Sequence, residues 1–239
     1  MKYLVKFFPF LSNKTFRKKW VMKQLKNIPA NQTILDAGAG ECQYKQYCSH
    51  LKYTSQDFGE YNGEGDGVGL QTKKWDNSRL DIVSDIANMP IPDHAFDNIL
   101  CTEVLEHIPY PEKAIAEFSR ILKKDGRLIL TAPFCSQTHF APYHFCTGFN
   151  IYWYKEVLSK NNFEISAYET NGNYFDYINQ ELMRTPLVIK RYSIFGVFGL
   201  SLYIIILPLV LCLFLISLMS KKTEKQLCFG YHITAKKTI

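Results

Sequence analysis

The sequence has no CxxC pair, and its seven cysteines (Cys42, Cys48, Cys101, Cys135, Cys146, Cys212 and Cys228) are odd in number and scattered. That pattern excludes a disulfide framework and a zinc ribbon, and it points to a reducing, cytosolic compartment. Residues 1–30 contain no acid, and residues 192–220 contain no charge of either sign. The apolar start MKYLVKFFPFL is broken by Lys6 and Pro9 and lacks a small-residue cleavage site, so it does not read as a secretory signal.

What is present is enough for one domain with a real core: 239 residues, 47% hydrophobic and 21% charged. Disorder over most of the length is excluded. The formal charge of +6 is uneven, amounting to +8 over residues 1–30, −8 over 31–180 and +6 over 181–239. A nucleic-acid enzyme places positive charge around its cleft, whereas here the middle of the chain is acidic. The expected partner is therefore an anionic membrane surface and not a nucleic acid.

Residues 12–28 suit a basic amphipathic helix, packed on the domain or lying on lipid. From residue 33, short apolar runs alternate with amphipathic helices, the signature of a mostly parallel sheet covered on both faces. The expected strands are 33–37, 52–57, 80–84, 96–102, 126–132 and 163–169; the expected helices are about 41–50, 111–123 and 150–160. Residues 59–70 (GEYNGEGDGVGL) read as a flexible glycine-rich loop, since no helix start or cation is there to make it a phosphate cradle.

The most informative stretch is Ile34-Leu35-Asp36-Ala37-Gly38-Ala39-Gly40-Glu41. An apolar strand runs into an acid and two glycines, Gly38 and Gly40, that let the backbone turn and approach a ligand closely ahead of a helix with free N–H groups. Asp36 suits an ammonium group, Asp57 at the next strand end suits ribose hydroxyls, and Asp85 with the backbone of Ile86 suits an adenine edge. Three acids at successive strand ends favour an adenosine carrying positive charge over a pyrophosphate. The rival, a nicotinamide cofactor, needs a third glycine that Gly38-Ala39-Gly40-Glu41-Cys42-Gln43 lacks.

DAGAG, Asp57, SDIANMPIPDHAFDNILCTEVLEHI and RILKKDGRLILTAP together resemble the class I S-adenosylmethionine-dependent methyltransferases, of the type 11 kind, over roughly residues 30–170. The resemblance implies a Rossmann-like three-layer α/β sandwich. Its seven-stranded, mostly parallel sheet has an antiparallel last strand between the fifth and sixth. It also implies S-adenosyl-L-methionine as cofactor, with Thr102 and Glu103 joining the cofactor-binding residues, and a pocket-shaping role for His107 in EVLEH. On the acceptor side it implies His139, Tyr143 and His144, in the loop after the fifth strand, with His144 as the candidate general base. The irregular spacing of Cys135, His139, His144 and Cys146 speaks against zinc, and no metal is expected.

Residues 192–220 are long enough to cross the roughly 30 Å of hydrocarbon in a bilayer. Residues 227–235 alternate like the family's last strand, which makes the apolar run an insertion before it. Basic residues flank both ends (Lys190, Arg191, Lys221, Lys222 and Lys225), and Pro208 divides the run into two short halves. The expectation is a helical hairpin bent near Pro208 in the cytoplasmic leaflet. A single spanning helix and a buried oligomer interface are the competing readings.

The organisation is thus a basic helical segment (1–30), a methyltransferase domain (31–191 with 221–239) and a membrane-associated apolar insertion (192–220). The expected activity is methylation of a small-molecule or lipid-linked acceptor at the cytoplasmic face of a membrane. Resemblance of CTGFNIYWYKEVL and NGNYFDYINQEL to methyltransferases of bacterial surface-polysaccharide pathways favours a lipid-linked sugar. A quinone-type acceptor and a non-catalytic binding module are the alternatives.

Overall fold

The computed structural model describes residues 13–72 and 74–239, so the stretch MKYLVKFFPFL lies outside the described residues. The described chain divides into two compact units, residues 17–169 with 230–239, and residues 13–16 with 170–229.

The larger unit is built on a seven-stranded sheet: β1 (Thr33–Ala37), β2 (Lys52–Asp57), β3 (Ile82–Val83), β4 (Phe96–Thr102), β5 (Leu122–Pro133), β6 (Phe163–Asn171) and β7 (Gly230–Lys237). Their spatial order is β3-β2-β1-β4-β5-β7-β6. The first five strands pair in parallel, and β7 lies antiparallel to β5 from Arg127↔Lys236 to Pro133↔Gly230. This is the mostly parallel α/β sheet with an antiparallel last strand that the sequence predicts, with an apolar helix before that strand. Ile34, Leu35, Ile99, Leu100, Leu128, Ile129 and Leu130 are completely buried. Near-continuous apolar runs of this kind belong to strands covered on both faces.

Helix α1 (Asn13–Lys26) buries Trp20, Val21 and Leu25 in a cluster with Ile34, Tyr44, Cys48, Leu100 and Ile129. These apolar side chains serve the protein core, while Lys14, Lys19, Lys23 and Lys26 stay at the surface. Helix α2 (Pro111–Ile121) starts on proline, whose missing N–H costs nothing at a first turn. It stops two residues short of the predicted end because Leu122 turns extended and opens β5. Helix α3 (Ile151–Lys160) is capped by Asn150, whose side-chain oxygen accepts from the amides of Tyr152 and Trp153 at 3.0 Å each.

The predicted helix over 41–50 does not form. Cys42 has a φ of 56°, a left-handed value that an α-helix cannot continue through, and the segment runs in turns with one 3₁₀ turn at Lys45–Tyr47. The tighter path brings Tyr44 and Cys48 into the core. Further strand and helix ends differ by a few residues; the ladder of β3, for example, covers only Ile82–Val83.

The smaller unit is a pair of antiparallel helices, α4 (Tyr174–Tyr192) and α5 (Tyr203–Met219), the second preceded by a 3₁₀ segment at Gly196–Leu202. Asn173 and Asp176 form a capping box that starts α4, a helix the apolar pattern alone does not announce. Met183, Ile206 and Val210 fill the seam. At one end the Tyr203 hydroxyl donates to the Met183 carbonyl at 2.9 Å, and at the other the Asn173 amide donates to the Ser217 hydroxyl at 2.7 Å. The reversal lies at residues 193–195 and not at Pro208, which sits inside α5. Proline removes one backbone bond there, and the packed seam on α4 carries the helix past it. The rest of the apolar run faces outward: Phe198, Ile204, Leu218 and Met219 are 80%, 77%, 67% and 86% exposed.

Candidate active site

The carboxyl ends of β1, β2, β3 and β4 and the loop after β5 surround one cavity of ≈ 540 Å³. Its size falls in the range of small-molecule pockets, and its place is where open α/β sheets bind ligands. Gly38 comes from the end of β1, Asp57 from β2, Asp85 and Ile86 from β3, Glu103 from β4, and Tyr143 from the loop after β5. Six of the sequence-predicted site residues therefore meet in one wall.

Gly38 has a φ of +75°, and a Cβ there would lie 2.3 Å from a methyl of Val104, another wall residue. Asp57 is buried, and its two oxygens accept from the amides of Gly40 (2.9 Å) and Gly59 (3.0 Å). A carboxylate has about four lone-pair sites, so acceptor capacity remains toward the cavity. Asp85 is exposed and accepts from the Ala87 amide at 2.8 Å through one of its two oxygens. Glu103 adopts a φ of 56°, a conformation rare outside glycine and enriched at functional positions. Its carboxylate is gripped by Arg17 of α1 at 2.7 Å and by the Thr131 hydroxyl at 3.1 Å.

Three predicted cofactor residues do not line the cavity. Asp36 is buried and accepts from the Tyr53 hydroxyl at 2.6 Å. Burial pushes its pKa up to about 7, the Tyr53 hydrogen bond working against that rise. Gly40 is covered by the Trp75 ring, 2.9 Å from where a Cβ would stand. Thr102 is buried at the end of β4.

The glycine-rich segment is a loop, as predicted, but a held one. The Asp66 amide donates to the Ala141 carbonyl (3.1 Å), the Leu70 amide to the Thr138 carbonyl (3.0 Å), and the Phe140 amide back to the Leu70 carbonyl (3.0 Å). A Cβ on Gly69 would fall 2.3 Å from the Thr138 carbonyl, so glycine is what lets the two loops touch. The contact assembles Tyr61, Trp75 and Phe140, with ring centroids 4.7–5.5 Å apart, as an aromatic wall of the cavity. Sequence reasoning missed this wall because its members are spread over about eighty residues.

On the acceptor side the structure separates the three predicted groups. Tyr143 lines the cavity, donates to Glu60 at 3.1 Å, and has its pKa raised by burial and by that hydrogen bond. His144 lies off the wall with Nε2 3.2 Å from the Ser136 hydroxyl, its pKa lowered by burial and by His139. His139 sits between His107 and His144, at centroid distances of 4.6 and 4.8 Å. His107, read from the sequence as shaping the pocket, does line it. Burial, then the neighbouring His139, push its pKa down to about 3, so it is neutral and a poor proton acceptor. Behind it Glu106 is completely buried.

The segment after Gly40 bears on the cofactor class. A pyrophosphate site uses the N-terminus of a long helix after the first strand, and here only turns follow. A cavity edged by carboxylates and walled by aromatic rings suits a flat, positively charged adenosine better than a dinucleotide.

Comparison with known proteins agrees with this geometry. Residues 35–130 match the family described as a methyltransferase domain. The chain is 27% identical over 120 residues to an uncharacterized methyltransferase, YcgJ, of Bacillus subtilis strain 168, a stretch that covers 47% of this chain and 43% of that one. It spans less than half the length of the curated relatives it matches. The crystal structure of the [4+2]-cyclase SpnF superposes with a TM-score of 0.55 at 19% identity, covering 94% of this chain and 81% of that one. Phosphoethanolamine N-methyltransferase 2 of Haemonchus contortus, solved with S-adenosyl-L-methionine, gives 0.52 at 15% identity, covering 93% and 52%. These likenesses show the fold. Residues 35–130 resemble a methyltransferase domain and the sheet is Rossmann-like, and a cyclase among the fold neighbours shows that the fold does not set the reaction.

Proposed function

We propose that this protein is an S-adenosylmethionine-dependent methyltransferase that acts on a small-molecule or lipid-linked acceptor at the cytoplasmic face of a membrane. The observation that carries the reading is the convergence of Gly38, Asp57, Asp85 and Ile86, from three successive strand ends, on one cavity. When bound, the cofactor supplies an electrophilic methyl group on a sulfonium whose displacement leaves a neutral thioether. The chain's own groups bind, orient and enclose. Asp57 takes the ribose hydroxyls, Asp85 and the Ile86 backbone take the adenine edge, and the nearby carboxylates favour the positive charge. Tyr61, Trp75 and Phe140 keep water from the reacting centre. Alignment of acceptor and methyl then supplies most of the rate.

The acceptor enters beside Phe140, Tyr143 and Phe145. Tyr143 stays protonated at neutral pH and offers its oxygen lone pairs to an acceptor hydroxyl. His144 is the candidate base for the acceptor's proton: burial and His139 lower its pKa, which favours the neutral ring, although it sits off the cavity wall beside Ser136.

Membrane attachment rests on the smaller unit. The run Gly196–Met219 is 24 residues long, its most apolar window has a mean hydropathy of 2.9, and only 17% of that window is buried. Helix α4 follows β6 and α5 precedes β7 of the same sheet, which supports a reading with both ends of the pair on one side of the bilayer. A crossing α5 would draw α4 and its Glu181–Arg184 ion pair into hydrocarbon. We read the pair as lying in one leaflet, with Lys190, Arg191, Lys221 and Lys222 at lipid headgroups.

The test is incubation with methyl-labelled S-adenosylmethionine and a total membrane extract, followed by solvent partition. Label in the lipid phase supports the reading. Label only in water-soluble metabolites removes the lipid-linked acceptor, and no label removes the enzyme.

A further inference from the structure

Behind the cavity wall, the Glu106 side chain has no exposure at all, and neither of its oxygens has a hydrogen-bond partner. A fully buried carboxylate without a partner is among the most costly arrangements in a protein, and such groups are found paired or on metals. One of its oxygens faces two imidazole nitrogens, His107 Nε2 at 3.7 Å and His139 Nε2 at 3.8 Å. These distances are too long for hydrogen bonds. His107 Nε2 is itself buried without a hydrogen-bond partner.

The other nitrogen of each ring explains the orientation. His107 Nδ1 meets the Tyr143 carbonyl, and His139 Nδ1 meets the Gln137 carbonyl at 2.8 Å. A carbonyl only accepts, so each Nδ1 carries a proton, and in the neutral ring the Nε2 facing Glu106 is then the one with the lone pair. Backbone carbonyls that fix the tautomer in this way are the usual outer shell of metal-binding histidines. The nearby acid Glu103 is already held by Arg17 and Thr131.

We infer that Glu106, His107 and His139 form a binding site for one divalent first-row transition-metal ion, with zinc as its simplest occupant. The three ligand atoms lie within 4.8 Å of one another. Around a tetrahedral ion with bonds of about 2.1 Å they would stand roughly 3.4 Å apart. The two carboxylate edges need to close by only about 0.3–0.4 Å, and the imidazoles turn further toward each other. Two imidazoles and one carboxylate suit zinc, manganese or iron and leave coordination positions for water or substrate. His107 also lines the cavity, so those positions are next to it. The set differs from the Cys135, His139, His144 and Cys146 combination weighed from the sequence: Cys135 is exposed, and neither cysteine belongs to the group. If the methyltransferase reading holds, an ion there would favour an oxygen acceptor by lowering the pKa of its hydroxyl.

The test uses the full chain with any affinity tag removed. It is stripped with chelator, incubated with zinc chloride, desalted and assayed for metal by mass spectrometry. Wild type and Cys146→Ser should hold about one zinc per chain, and Glu106→Gln and His139→Ala below about 0.2. Zinc should raise the melting temperature of wild type and not of Glu106→Gln, a near-isosteric change whose fold is checked by circular dichroism. S-adenosylhomocysteine binding by Glu106→Gln should stay within about threefold of wild type, which separates this proposal from the cofactor reading. Folded wild type with less than about 0.2 zinc, or a full complement in Glu106→Gln, overturns the site.

Discussion

Replacing Asp36 with asparagine should change how stability depends on pH. In the folded chain burial lifts the Asp36 pKa from its ordinary 3.8 to about 7. Between those values the folded state holds a proton that the unfolded state has lost, so this group's contribution is fully present below about pH 4 and disappears as pH rises to about 7. A gap of about three pH units corresponds to about 4 kcal/mol of stability lost across the window. The asparagine amide that replaces the carboxyl group does not titrate, and its oxygen still accepts from the Tyr53 hydroxyl. Its two amide donors bring a cost that does not vary with pH. Urea unfolding of ligand-free protein at pH 5 and pH 8 should show Asp36→Asn gaining about 2–3 kcal/mol on wild type between the two conditions. A gain below about 0.5 kcal/mol would show that Asp36 is ionised in the folded chain and that the burial argument fails.

Three other outcomes follow from the same geometry. Trp75→Ala removes a wall packed on Gly40, Tyr61 and Phe140, and should weaken S-adenosylhomocysteine binding about tenfold by calorimetry, with a loss of only a few degrees in melting temperature. Tyr143→Phe should lower kcat about tenfold and leave S-adenosylhomocysteine affinity within about twofold; an equal loss in both would place Tyr143 with the cofactor instead. Serine at Phe198, Ile204 and Leu218 together removes roughly 1.5–3 kcal/mol of apolar contact per residue and should shift the protein from the membrane pellet to the soluble fraction without detergent. Unchanged sedimentation would point to attachment elsewhere.

The sheet was legible because several of its strands are short apolar runs that end at acids or glycines, as in Ile34-Leu35-Asp36-Ala37-Gly38. The same strand ends carry Asp57, Asp85 and Glu103 to the cavity. What the sequence hid depends on tertiary packing. Cys42 takes a left-handed conformation so that Tyr44 and Cys48 reach the core, and no local propensity announces that. The glycines of 59–70 looked like freedom, yet Gly65 and Gly69 are close contacts with the loop after β5. Pro208 looked like a bend because proline usually is one, but the seam of Met183, Ile206 and Val210 holds α5 through it. Glu106 and His107 are adjacent in the chain, whereas His139 arrives about thirty residues later on another loop, so spacing alone could not join them.

The most direct test of the central claim is a thermal-shift comparison of S-adenosylhomocysteine with NAD on the full chain. A ligand present at about one hundred times its Kd stabilises the folded state by about 2.7 kcal/mol, so S-adenosylhomocysteine should raise the melting temperature by several degrees and NAD should not. Asp57→Ala should abolish the rise, since Asp57 lines the cavity and holds the amides of Gly40 and Gly59. A rise with NAD alone, or none with S-adenosylhomocysteine, would contradict the account.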